Sequence, residues 1–240
     1  MKIIFVRHGD PDYEHDSLTE KGHREAALVA KKIKEINPDY VYSSPLGRAE
    51  LTCKYSQKEC GFDYEVLPWL REFPGMAVDK ATGEPRHPWD LKPNFFTKQD
   101  ELYDATRWRE NEFAKSGDVL DRYDDIAVGL DALLEKHGYK RDGRLYRSVR
   151  PNRDTIVIFC HFAVTAAMMS HMMSHSPYFL WQHFCALPTS ITTIATEERE
   201  ENAVSFRCIG FGEIGHLTEH GEPASFAARF CETFDSDERH

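Results

Sequence analysis

Two short apolar runs, each leading straight into a histidine, constrain this chain more than any other feature. Ile3-Ile4-Phe5-Val6 is β-branched or aromatic throughout and runs into Arg7-His8-Gly9, and Ile156-Val157-Ile158-Phe159-Cys160 runs into His161. Runs of this length bounded by polar residues read as strands buried on both faces, which belong to parallel sheets covered by helices. Both histidines then stand at the carboxyl ends of buried strands.

Helical spacing fills the intervals. Thr19 is the predicted cap of a helix reaching about Ile36, with Ala26, Val29, Ala30 and Ile33 on one face and Asn37-Pro38 as its stop. Tyr40 to Tyr42 predict a second strand ending at Ser43-Ser44, and Pro45 suits the first turn of a helix carrying Arg48, Leu51 and Thr52. A third strand is expected near Val66 to Leu67. Asp118 to Gly138 and Ala163 to Met173 read as helices, the second stopped by Pro177. Ile191 to Ala195 and Val204 to Ile209 read as strands around the charged turn Glu197 to Asn202, and the tail after Gly221 carries no pattern.

Strands alternating with helices predict an α/β fold, a three-layer sandwich with a largely parallel central sheet and helices on both faces. Its 240 residues, 41% of them hydrophobic, fit one domain over 1–240. Between Arg71 and about Ser116 stand Pro74, Pro85, Pro88, Pro93, Trp89 and Trp108 without clear periodicity, so this stretch is expected to be an inserted lid.

The formal charge of −10 argues against a nucleic-acid partner and makes any anionic substrate depend on a local cluster of cations. Lys140, Arg141, Arg144, Arg147, Arg150 and Arg153 form a basic stretch with only Tyr139 and Tyr146 as aromatic company, and it reads as a solvated connection. The six cysteines lack any C-x-x-C pair and are expected to be free thiols. His171 and His175 lie four apart without the glutamate of H-E-x-x-H, and with His183 they read as helix-surface residues, so no metal is expected. The short N-terminal run and the absence of a long apolar stretch predict a cytoplasmic protein with no membrane partner. Self-association is left open.

In open α/β sheets ligands bind outside the carboxyl ends of the strands, which is where Arg7, His8 and His161 fall, with Arg48 one turn into the next helix. A transferring phosphoryl group needs donors for its equatorial oxygens and an in-line nucleophile. Arg7 and Arg48 offer permanently charged forks, a protonated His161 a third cationic donor, and neutral His8 a nucleophile that would become a phosphohistidine. Glu72, after the third strand, is the expected acid for the leaving oxygen. It would start protonated and then activate water. Arginine and histidine supply the charge, so no cofactor is called for.

Phe5-Val6-Arg7-His8-Gly9, Leu18-Thr19-Glu20-Lys21-Gly22, Ser43-Ser44-Pro45-Leu46-Gly47-Arg48-Ala49, Leu70-Arg71-Glu72-Phe73 and Cys160-His161-Phe162 occur in that order over most of the chain. The ordered set resembles the histidine phosphatases, the phosphoglycerate-mutase-like superfamily. The resemblance implies His8 as nucleophile, Arg7, Arg48 and His161 as phosphate ligands, and Glu72 as proton donor.

Three positions depart from the family pattern. Pro11 replaces a small hydroxyl residue, Glu14 stands where mutases carry asparagine, and Phe162 takes the place of a glycine beside the substrate pocket. The expected activity is a metal-independent phosphoric monoester hydrolase acting on a small phosphorylated substrate. A mutase of the same fold, or a non-catalytic phospho-ligand or protein-binding module, are the alternatives.

Overall fold

A computed structural model describes residues 1–80, 82–225 and 233–235; Cys231 and most of the patternless tail lie outside them. The first apolar run is strand β1 (Lys2–Arg7). The chain then folds back through the two-residue strands β2 (Pro11–Asp12) and β3 (Ser17–Leu18) into helix α1 (Glu20–Ile36). Thr19 caps α1 as predicted, accepting the Gly22 amide at 3.1 Å, and Asn37 closes it in the left-handed region at φ 51°. Strand β4 (Tyr40–Ser43), helix α2 (Gly47–Cys60) and strand β5 (Glu65–Val66) follow.

The described residues of 71–116 hold only short elements, which is why no period shows in their sequence. They are an antiparallel pair, β6 (Ala77–Val78) and β7 (Pro85–Arg86), single turns α3 (Pro93–Phe96) and α4 (Asp100–Tyr103), and a 3-10 turn at Arg107–Glu110. Leu91, Phe96, Leu102 and Trp108 from this stretch are buried in one cluster with helix α5 (Val119–Lys136). Trp108 packs edge-on against Tyr123 with ring centroids 4.9 Å apart.

The basic stretch is not a solvated connection. It forms a hairpin, β8 (Tyr139–Asp142) and β9 (Leu145–Ser148), turning at Gly143 with φ 61°. Tyr139, Tyr146 and Ser148 face inward while Lys140, Arg144 and Arg147 are exposed. Arg141 lies over the Tyr146 ring at 5.0 Å and donates to the His171 carbonyl at 2.7 Å. Asp142-Gly143 between alternating residues is a hairpin signal that the density of charge obscured.

The second apolar run is β10 (Thr155–Cys160), followed by α6 (Phe162–Met172). Pro177 does not merely stop α6. It occupies the first turn of helix α7 (Pro177–His183), capped by Ser176, a position suited to its missing N–H. Strands β11 (Ile191–Glu200) and β12 (Ala203–Glu213) run several residues past their apolar cores, with Asn202 at φ 59° in the turn between them, and α8 (Gly215–Thr218) follows.

Among the described residues eight strands form one sheet in the order β5-β4-β10-β1-β11-β12-β9-β8. From β5 to β1 every pairing is parallel, and from β1 outward to β8 every pairing is antiparallel. Alternation along the central strands feeds two cores. Ile3, Phe5, Ile156 and Ile158 join α5 and α6 on one face, while Ile4, Val6, Val157 and Phe159 meet Val29, Ile33 and Cys53 of α1 and α2 on the other. This is the predicted three-layer arrangement, with a parallel centre.

Candidate active site

Parallel register brings the strand ends together. Arg7 pairs with Cys160 and Phe159 with Ser43, so His8, His161 and Ser44 follow as neighbours on one rim. The amide of His8 donates to Cys160 O at 3.1 Å, and that of Ser44 to Phe159 O at 2.8 Å. The His8 and His161 rings lie 5.0 Å apart between centroids, inclined by 56°.

The protonation pattern of His8 follows from its partners. Its Nδ1 lies 2.7 Å from the Gly9 carbonyl oxygen, which can only accept, so Nδ1 carries the proton and Nε2 keeps its lone pair. Burial, reinforced by the Arg7 and Arg48 charges, holds the His8 pKa well below the ordinary histidine value. His8 is therefore neutral near pH 7, as a nitrogen nucleophile must be.

His161 is also depressed well below the ordinary value, chiefly by burial, then by His8, Arg48, Arg7 and Arg71. The expectation of a cationic His161 gives way to that of a neutral donor. Its Nε2 lies 2.8 Å from Ser44 Oγ, which itself accepts the Leu46 amide at 3.2 Å, while Nδ1 is buried without a partner. Ser44, fully buried, was missed from sequence, where it was only the end of a strand.

Arg7 and Arg48 are both almost completely buried. Arg7 Nη1 donates to the Ala186 carbonyl at 2.6 Å, and Arg48 Nη1 to Asp16 Oδ1 at 2.5 Å. In each guanidinium the Nε donor is buried with no partner. Thr52 ties the two segments together: its Oγ1 accepts the Gly9 amide at 3.0 Å and donates to the Arg48 carbonyl at 2.8 Å. The charges of both guanidinia act on the neutral histidine pair, and arginines so placed can bind an anion.

Glu72 reaches the same rim from the other side. Its Oε1 accepts the amides of Phe73 at 2.8 Å and Val164 at 3.1 Å, holding the carboxylate on the first turn of α6, just after His161. Phe162 is half-buried and packs against the core beside the site. Arg71 is exposed at the rim, and its charge is felt at His161. Pro11 is buried in β2, and Glu14 is exposed with its amide bonded to Asp12.

His171 and His175, four apart in sequence, each bond to a neighbouring group. His171 Nε2 lies 3.0 Å from Asp131 Oδ2, and His175 Nδ1 accepts the Ser176 amide at 2.9 Å. Among the described residues no group of three or more histidine, cysteine or acidic side chains is placed to hold a metal ion. Cys53, Cys60, Cys160 and Cys208 are free thiols, and among the described residues no helix is long and apolar enough to cross a membrane.

His8 and His161 lie buried at the carboxyl edge of the parallel strands, where ligands of α/β sheets bind, and the charges of Arg7 and Arg48 act on both rings. The model of the histidine phosphatase superfamily (branch 1) matches residues 3–209, and the chain belongs to that superfamily. A probable phosphoglycerate mutase GpmB of Photorhabdus laumondii is 33% identical over 159 residues, 58% of this chain and 70% of the relative. Its counterpart in Cronobacter sakazakii is 33% identical over 96 residues, 36% of this chain and only 42% of the relative's length.

Among solved structures, a mutant phosphoserine phosphatase of Entamoeba histolytica in complex with phosphoserine superposes with a TM-score of 0.59. It is 22% identical and the match covers 90% of this chain and 98% of that one. A mycobacterial glucosyl-3-phosphoglycerate phosphatase gives 0.55 at 20% identity, covering 88% and 98%. These likenesses establish the shared fold.

Proposed function

We propose that the chain is a metal-independent phosphatase that hydrolyses a small phosphate monoester through a phosphohistidine on His8. The observation that carries this reading is the pinned tautomer: Nδ1–H is committed to Gly9, so Nε2 of a neutral ring keeps its lone pair, and the charges of Arg7 and Arg48 act on that ring. In the first step Nε2 attacks phosphorus, Arg7 and Arg48 bind the equatorial oxygens, and His161 donates to a third position. The bond from phosphorus to the ester oxygen breaks as Glu72 gives that oxygen its proton. In the second step the Glu72 carboxylate takes a proton from water, the resulting hydroxide attacks phosphorus, and His8 leaves as a neutral imidazole.

Residues 71–116, within one domain over 1–240, are read as the lid that selects the ester. The buried thiols Cys53 and Cys160 suit a reducing, cytoplasmic setting. The mutase names of the relatives support a second reading, transfer of the phosphoryl group to another hydroxyl; release of inorganic phosphate without positional transfer excludes it.

The test is hydrolysis of a panel of phosphate esters in excess chelator, with acid-labile, base-stable phosphoenzyme trapped on rapid quenching. His8→Ala is expected to abolish both signals. Unchanged hydrolysis by that variant sinks the proposal, and failure to trap phosphoenzyme or release phosphate across the panel favours a phospho-ligand binding module.

A further inference from the structure

We infer that Asp16 is a positioning residue for Arg48, setting the orientation in which its guanidinium meets the bound phosphate; this rests on the phosphate-handling reading above. A guanidinium is a rigid planar fork, so fixing one of its nitrogens fixes the direction of the others. Asp16 Oδ1 takes Nη1 of Arg48 at 2.5 Å, whereas Nε of the same group is buried and unpartnered. Tyr13 lies against the guanidinium, its ring centroid 5.3 Å from the central carbon. Arg48 is thus held on one edge and covered by the ring, with Nε left over.

The carboxylate is itself anchored. Asp16 Oδ2 accepts the amide of Gly47, the first residue of α2, at 2.7 Å. Its backbone sits in the left-handed region at φ 46°, and a Cβ on Gly47 would collide with the Asp16 carbonyl oxygen. A carboxylate fastened to the helix that carries Arg48 moves with that arginine and keeps its orientation. A competing occupant, displaced whenever phosphate enters, would need the freedom that the Gly47 contact removes.

The experiment is calorimetric titration of the full chain with inorganic phosphate, which requires no turnover. Asp16→Asn is expected to weaken phosphate about tenfold, the loss of about one charge-assisted contact's orientation. In an Arg48→Gln background the same substitution is expected to change nothing further, because Asp16 acts through Arg48; a merely structural role would cost affinity in both backgrounds. Asp16→Ser, which keeps an acceptor near Gly47, is read in the same way if Asp16→Asn does not fold.

Unchanged or tighter binding in the single variant, or an equal loss in both backgrounds, overturns the inference alone. Failure of the unsubstituted chain to bind phosphate overturns the reading beneath it as well.

Discussion

His8 and His161 face each other across 5.0 Å because β1 and β10 are hydrogen-bonded in parallel with Arg7 opposite Cys160. Residues 153 apart in sequence become neighbours through one register, and a slip of a single residue would turn one of them to the far face. The burial that results also sets the protonation state of both rings.

That burial has a consequence for pH. In the proposed reaction the neutral form of His8 is the nucleophile, and a pKa held well below 6.5 keeps it neutral as pH falls from 8 to 6.5. The kcat/KM profile, corrected for the substrate's own ionisation, is expected to show no acid limb attributable to His8 in that range. A limb centred near 6.5 that disappears with His8 substitution would contradict it.

Ser44 Oγ holds the His161 ring at Nε2, 2.8 Å away. Ser44→Ala is expected to lower kcat roughly tenfold, the size of one buried hydrogen bond, while the unfolding midpoint moves little. Steady-state kinetics beside a thermal melt separates the two effects. A kcat within twofold of the parent would show that His161 needs no such support.

Gly9 and Gly22 lock the Gly9–Asp10 loop to α1. A Cβ on Gly9 would stand 2.7 Å from Gly22 O, and one on Gly22 would collide with Asp10 O. Gly22→Ala is therefore expected to cost about 2 kcal/mol or more by forcing the loop off the helix, and to reduce phosphoenzyme formation with it. Urea unfolding and the phosphoenzyme trap read these together; a fully stable variant would mean the loop yields freely.

Glu25 is fully buried beneath that loop, accepting the Asp10 amide at 2.8 Å, and burial raises its pKa to about 7. The folded chain therefore keeps a proton that the unfolded chain releases near pH 4.5, so stability is lost as pH rises from about 4.5 to about 7. Glu25→Gln does not titrate. Its stability relative to the parent is expected to improve between pH 5 and pH 8 by on the order of 1–3 kcal/mol. Denaturant unfolding of both proteins at the two pH values checks this, and a constant difference would refute it.

Much of the scaffold was legible because its signals are local. Buried parallel strands are continuous apolar runs, Thr19 and Asn37 bound a helix by their own chemistry, and the stripe through Ala26, Val29, Ala30 and Ile33 needs no partner to be seen. The β8–β9 hairpin escaped because its inward residues include Arg141, which is accommodated by the Tyr146 ring, Ser174 and the Gly143 and His171 carbonyls. The helix at Pro177 escaped because proline stops one helix and starts another with equal ease.

At the site, the sequence by itself determined which groups are available: His8, His161, Arg7, Arg48 and Glu72 each stand in a recognisable local setting. What only the tertiary structure decided is how they are oriented and charged. Gly9 O sets the His8 tautomer, Ser44 holds His161, and Asp16 grips Arg48. The latter two contacts join residues 117 and 32 apart, and burial contributed by the whole sheet keeps both histidines neutral. Such contacts exist only once the strands have paired, so no periodicity or motif along the chain records them.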